Sequence, residues 1–117
     1  MKSSTLAPVS NQETWQDVIE FIDDDTGGPW FTEADSEGHP SDVTLKLRDP
    51  DSGRVVLKGS ITDGKLAIVA DGAIEFTFPA SSMRSLCPKT YEIGVIYSAA
   101  GSDTQAFLGR LPVLKGL

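Results

Sequence analysis

The stretch Val43-Thr44-Leu45-Lys46-Leu47-Arg48-Asp49-Pro50-Asp51-Ser52-Gly53-Arg54-Val55-Val56-Leu57 decides how the rest of the chain is read. Val43, Leu45 and Leu47 alternate with Thr44, Lys46 and Arg48, the period of a strand with one buried face. Pro50 presets φ at the second position of a turn, and Gly53 permits the backbone that closes it. The β-branched pair Val55-Val56 then suits a returning strand over residues 54–60. A strand, a tight turn and a second strand therefore form from local chemistry alone.

Downstream the same grammar repeats. Asp63-Gly64 predicts a hairpin turn between Ile61 and Leu66, and Asp71-Gly72 a second one after a strand over residues 65–69. Ile74, Phe76 and Phe78 alternate until Pro79 stops them. Residues 80–86 are the one short helical candidate, with Met83 and Leu86 three apart. Tyr91, Ile93, Val95 and Tyr97 alternate next. Residues 100–103 turn the chain, and a last strand over residues 105–113 puts Phe107, Leu111 and Val113 on one face.

Upstream, residues 15–22 have strand character with Ile19 and Phe21 on one face. Residues 23–29 are dense in turn formers, Trp30-Phe31-Thr32 reads as a short strand, and residues 35–41 as a polar loop. Residues 1–14 lack periodicity and read as a flexible or extended N-terminal arm. The expectation is an all-β domain over residues 15–117, with seven main strands at spacings of roughly 8–12 residues and one helical turn, the signature of a sandwich or barrel. The expected core is Leu45, Leu47, Leu57, Ile74, Phe76, Tyr91, Ile93, Val95, Phe107 and Leu111.

Composition removes most function classes. The chain has 117 residues, enough for one modest core. Seventeen acidic against ten basic residues give a net charge of −7, which repels nucleic-acid phosphates, so no nucleic-acid partner is expected. The longest plainly apolar run, Leu66-Ala67-Ile68-Val69-Ala70, is far too short to span a bilayer, and the first residues hold no apolar signal region. No membrane association is expected, and synthesis in a cytoplasm is.

Catalytic candidates are few. His39 is the only imidazole, lies before Pro40, and has no Gly-x-Ser-x-Gly elbow to serve, so it reads as a solvated loop residue. Cys87 is the only thiol, which excludes an internal disulfide, and it reads as a small buried hydrophobe beside Leu86. Asp23, Asp25, Gly28 and Glu33 faintly resemble a calcium loop. With Asp23 as the first ligand position, however, the twelfth falls on Ala34 and Glu33 comes one place early. A solvated acidic turn is the expected reading. No cofactor, no metal and no enzymatic activity are expected.

The oddity is apolar residues on both faces of some strands. Val18, Ile22, Val56, Ile96 and Leu108 fall opposite the expected core, and Trp30-Phe31 sits near loops. With Leu6 and Val9 of the arm, the residues Val18, Trp30, Phe31, Val56, Ile96 and Leu108 are the candidate contacts with a partner. The competing reading is bulges and two-sided burial.

Leu86-Cys87-Pro88-Lys89-Thr90-Tyr91 resembles the corner of immunoglobulin-like and fibronectin-type sandwiches, where a Leu, a turn and a Tyr precede the penultimate strand and the Tyr hydroxyl bonds back to the corner. Lys89 stands where Gly is common. This resemblance implies an immunoglobulin-like Greek-key sandwich. The ordering of features over residues 15–114 also resembles small proteins encoded in the structural-gene modules of tailed bacteriophages and prophages. The resemblance rests on the aromatic first strand, the Asp-rich turn, Val43-Thr44-Leu45-Lys46-Leu47-Arg48-Asp49, the two Asp-Gly turns, Ile74-Glu75-Phe76-Thr77-Phe78, Thr90-Tyr91-Glu92-Ile93 and Phe107-Leu108-Gly109-Arg110-Leu111-Pro112-Val113. It implies a non-enzymatic virion component of the neck, tail or fibre attachment, made in the cytoplasm of a bacterial host. Its partners would be other virion proteins or further copies of itself. The alternative is a carbohydrate- or receptor-binding sandwich with Trp15, Trp30 or Phe31 as a stacking platform.

Overall fold

A computed structural model of the chain describes residues 2–5 as backbone and residues 8–22, 27–31, 40–99 and 101–116 in full. Among them run β1 (Lys2–Thr5), β2 (Val9–Ser10), β3 (Trp15–Glu20), β4 (Asp42–Arg48), β5 (Val55–Ser60), β6 (Leu66–Ala70), β7 (Ala73–Phe78), the helical turn α1 (Ala80–Met83), β8 (Lys89–Ala99) and β9 (Ser102–Leu114). They form two sheets. The larger has the order β1-β9-β8-β4-β5, with β2 also on β9, and the smaller β3-β7-β6. The chain is all-β, a sandwich of two sheets around one core.

The period-2 apolar sets meet between the sheets. Val43, Leu45, Leu47, Ile93, Val95 and Leu111 of the larger sheet have no exposed surface, and neither have Ile74 and Phe78 of the smaller. Met83 and Leu86, three apart after Pro79, close one side of this core. Trp15 stacks on Phe78 and meets Phe76 edge-on, with centroids 5.7 and 4.6 Å apart. Such pairs add roughly 0.5–1.5 kcal/mol beyond area burial.

Several expectations are corrected. Asp63-Gly64 does close a turn: Asp63 accepts from the Ser60 and Lys65 amides at 3.0 Å, and the Asp63 amide donates to Ser60 Oγ. It is no hairpin, however, because β5 and β6 lie in different sheets. Turn chemistry fixes the reversal, and burial of Leu57 and Leu66 on opposite sides of the core fixes which sheet receives the next strand. Phe107 is only half-buried. Val95 pairs with Phe107 but Ile96 with Gln105, so Ala106 is an unpaired bulge residue, and it is Ala106 that sinks into the core. The same device acts in β5, where Val56 is the extra residue between the Leu47–Leu57 and Arg48–Val55 pairs. Val56 therefore packs on the core while Val55 faces out. Cys87 is exposed, because the corner uses its carbonyl rather than its side chain.

The arm is part of the sheet. β1 and β2 run parallel to β9, from Lys2 opposite Phe107 to Ser10 opposite Leu114. Between Thr5–Arg110 and Val9–Val113 the arm spends one residue more than β9, in the stretch holding Pro8. Asn11 locks its end. This residue, 7% exposed, donates from its side chain to the Leu86 carbonyl at 3.1 Å and accepts from the Gly116 amide at 3.0 Å. Asn11→Ala should cost about 1–3 kcal/mol, because it orphans both backbone groups. A urea midpoint unchanged from wild type would show that water replaces the side chain.

Lys89 ties the corner to the β4–β5 turn, with Nζ 3.0 Å from Asp49 and 2.8 Å from Asp51. The hydrogen bond from Lys89, with one from the Asp51 amide, holds the Asp49 carboxyl below its usual range. The bonds to Asp51 and Asp49 hold Lys89 above its own. The Asp49 contribution is therefore complete above the ordinary carboxylate pKa of about 3.9 and is lost as pH falls through the lower folded value. The Lys89 contribution is complete below about 10.4 and is lost only at more alkaline pH. Lys89→Met should destabilise the protein near neutrality, and the gap to wild type should close toward pH 2. A gap constant across that range, measured by urea melts, would mean that the charges contribute nothing.

Candidate interaction surface

Strand pairing puts the outward residues of the larger sheet in rows. Ser60, Thr44, Ile96 and Gln105 form one, Lys58, Lys46, Gly94 and Leu108 the next, and Val55, Arg48, Glu92 and Arg110 the third. Gly94, without a side chain, leaves the middle low. A depression of about 350 Å³ lies over it, with Lys46, Arg48, Glu92, Val55, Ile96 and Leu108 among its walls. Val55 and Leu108 are 45% and 41% exposed. Two bulges shape this surface. The β5 bulge turns Val55 outward, and Gln105 braces the β9 bulge by donating through Nε2 to the Val95 and Phe107 carbonyls at 3.1 and 2.6 Å.

The rows carry four of the chain's ten cations, Lys46, Arg48, Lys58 and Arg110, against one carboxylate, Glu92. Asp42 and Asp103 flank Ser98 in the next outward row, directly beside that of Ile96. Glu92 is engaged by Arg48 through two hydrogen bonds of 3.3 and 3.1 Å. That pair is half exposed and worth at most about 1 kcal/mol. Lys46 stands directly opposite Lys58, an arrangement that costs stability in the free protein. A face that keeps like charges paired and apolar residues exposed is poorly matched to water and well matched to an acidic, partly apolar surface.

The candidate contact residues separate. Ile96 and Leu108 come together on this face, joined by Val55, which sequence reasoning missed because the bulge exchanges it for Val56. Val18 (44% exposed) and Ile22 (38%) belong to the opposite side of the sandwich. Val9 packs on the chain's own core. Phe31 is 2% exposed, and Trp30 is half-buried against Phe21 and Tyr97, with centroids 5.4 and 5.3 Å away. These rings pack together at one end of the core. Leu6 lies outside the described residues, as do His39, Asp23, Asp25 and Glu33.

Among the described residues no group of three or more His, Cys, Asp or Glu side chains is placed to hold a metal ion. Excess chelator is expected to leave the melting temperature unchanged, since a bound ion would stabilise by mass action. No described helix is long and apolar enough to cross a membrane. Burial raises the Tyr91 and Tyr97 hydroxyls above their ordinary range. No protein-family model matches the chain, and no curated protein is significantly similar to it.

Proposed function

We propose that the protein is a non-enzymatic, immunoglobulin-like interaction module whose docking face is the outer surface of the larger sheet, and that it serves as an accessory subunit of a tailed-phage virion. The carrying observation is the cluster of Lys46, Arg48, Lys58 and Arg110 beside exposed Val55 and Leu108 and half-buried Ile96. Two features support the immunoglobulin-like assignment. The Tyr91 hydroxyl donates to the Cys87 carbonyl at 3.0 Å, back across the corner before β8. The first strands also run parallel to the last, at one edge of the larger sheet. The phage assignment rests on the order of sequence features over residues 15–114. The carbohydrate-binding alternative loses ground, because Trp15 and Phe31 are core residues and Trp30 is half-covered.

Quantitative mass spectrometry of purified virions tests this reading. Wild-type protein should be present at a fixed copy number. Ile96→Glu with Leu108→Glu should abolish incorporation while leaving the melting temperature of the purified protein within a few degrees of wild type. Absence of the wild-type protein from particles overturns the virion role, and normal incorporation of the stable variant overturns the docking face.

A further inference from the structure

The smaller sheet offers a surface that answers the basic one. Its outward register positions hold Gln16, Val18 and Glu20 of β3, Glu75 and Thr77 of β7, and Ala67 and Ala70 of β6, and the cation of Lys65, which pairs with Thr77 just before β6, stands at the margin. Val18 is 44% exposed and stands beside Glu75, which also neighbours Ala67. One outer face of the sandwich is thus apolar with a basic cluster, and the other apolar with carboxylates. The two faces are on opposite sides of the same molecule, so neither can satisfy the other within one chain.

Resting on the reading of the larger sheet as the docking face, we infer that its occupant is a second copy of this chain, which presents the outer face of its smaller sheet. Val18 and Ala67 of one copy would meet Val55, Ile96 and Leu108 of the next, with Glu20 and Glu75 placed among Lys46, Lys58 and Arg110. Charge complementarity supplies both the attraction and the choice of face. Across the three central rows, two copies of the basic face would place eight cations against two carboxylates, with Asp42 and Asp103 of each copy in the flanking row, so a symmetric pairing centred on those rows is disfavoured. The contact is therefore heterologous and leaves a free face at each end, which yields a ring or an open stack instead of a closed dimer. The body measures 44 × 24 × 23 Å, leaving room on one side for the roughly 800 Å² per partner of a stable interface.

Sedimentation velocity on the purified full chain tests this. At low salt the wild type should show a mass that rises with concentration past the dimer and falls back toward monomer as sodium chloride is added. Neutralising the basic face (Lys46→Ser, Lys58→Ser, Arg110→Ser) should abolish self-association. So should neutralising the acidic face (Glu20→Gln, Glu75→Gln). Mixed together, the two variants should form a 1:1 dimer and nothing larger, because each retains one intact face. Unchanged melting temperatures establish that the variants are folded. A wild-type monomer at every concentration overturns the inference but leaves the docking face itself to the incorporation test. Self-association of the acidic-face variant at wild-type strength also overturns it, and points to a partner surface other than the smaller sheet.

Discussion

Phe76→Ala is expected to cost about 3–5 kcal/mol, the usual range for deleting a fully buried ring. That is a large share of the roughly 5–15 kcal/mol that holds a domain of this size together. Phe76 is 1% exposed, sits on the middle strand of the smaller sheet, and meets the edge of Trp15 at 4.6 Å and Phe78 at 6.1 Å. Both neighbours are fixed by their own strands, β3 and β7, so the site collapses little when the ring is removed. Urea denaturation should show the midpoint falling with the slope unchanged. A loss below about 1 kcal/mol would mean that the two sheets close over the gap.

Gly72→Ala is the second large effect. Gly72 turns β6 into β7 at φ 68°, where an L side chain costs roughly 1–2 kcal/mol. A Cβ there would also stand 2.6 Å from Pro29 Cβ and 2.9 Å from the Phe21 carbonyl oxygen. That oxygen accepts from the Trp30 amide at 3.0 Å, and the Phe21 amide donates to the Gly72 carbonyl at 2.7 Å, so the turn and the Phe21–Trp30 strap are one hydrogen-bonded unit. Displacing it adds about 1–3 kcal/mol of overpacking. Gly64→Ala separates the two contributions. Gly64 has φ 85° but nothing within 4 Å of an added Cβ, so it should show the conformational cost alone. Equal losses at the two positions would mean that Pro29 moves aside freely.

Local patterns carried most of the architecture. The alternation of Val43, Leu45 and Leu47, and that of Tyr91, Ile93, Val95 and Tyr97, required strands buried on one face, because period 2 is the only period that puts those residues on one side. Asp-Gly and Pro-Asp pairs placed the reversals, since turn conformations are decided by a few neighbouring residues. The Leu86–Tyr91 corner was legible for the same reason: donor and acceptor are four residues apart.

Only tertiary structure decided the rest. Which sheet β6 joins depends on what Leu66 can bury against, a question between distant segments. The bulges at Val56 and Ala106 arise from the fit between neighbouring strands, and each shifts the facing of the residues before it. They moved Val55 out and Ala106 in without any mark in the local pattern. Asn11, met in sequence as one polar residue in an aperiodic arm, became a clasp between the Leu86 carbonyl and the Gly116 amide, 75 and 105 residues away. The charge of −7 is a sum over the whole chain and says nothing of where its terms lie. Strand pairing is what gathers Lys46, Arg48, Lys58 and Arg110 on one face and leaves Glu20 and Glu75 on the other, because charge adds over a surface and not along a sequence.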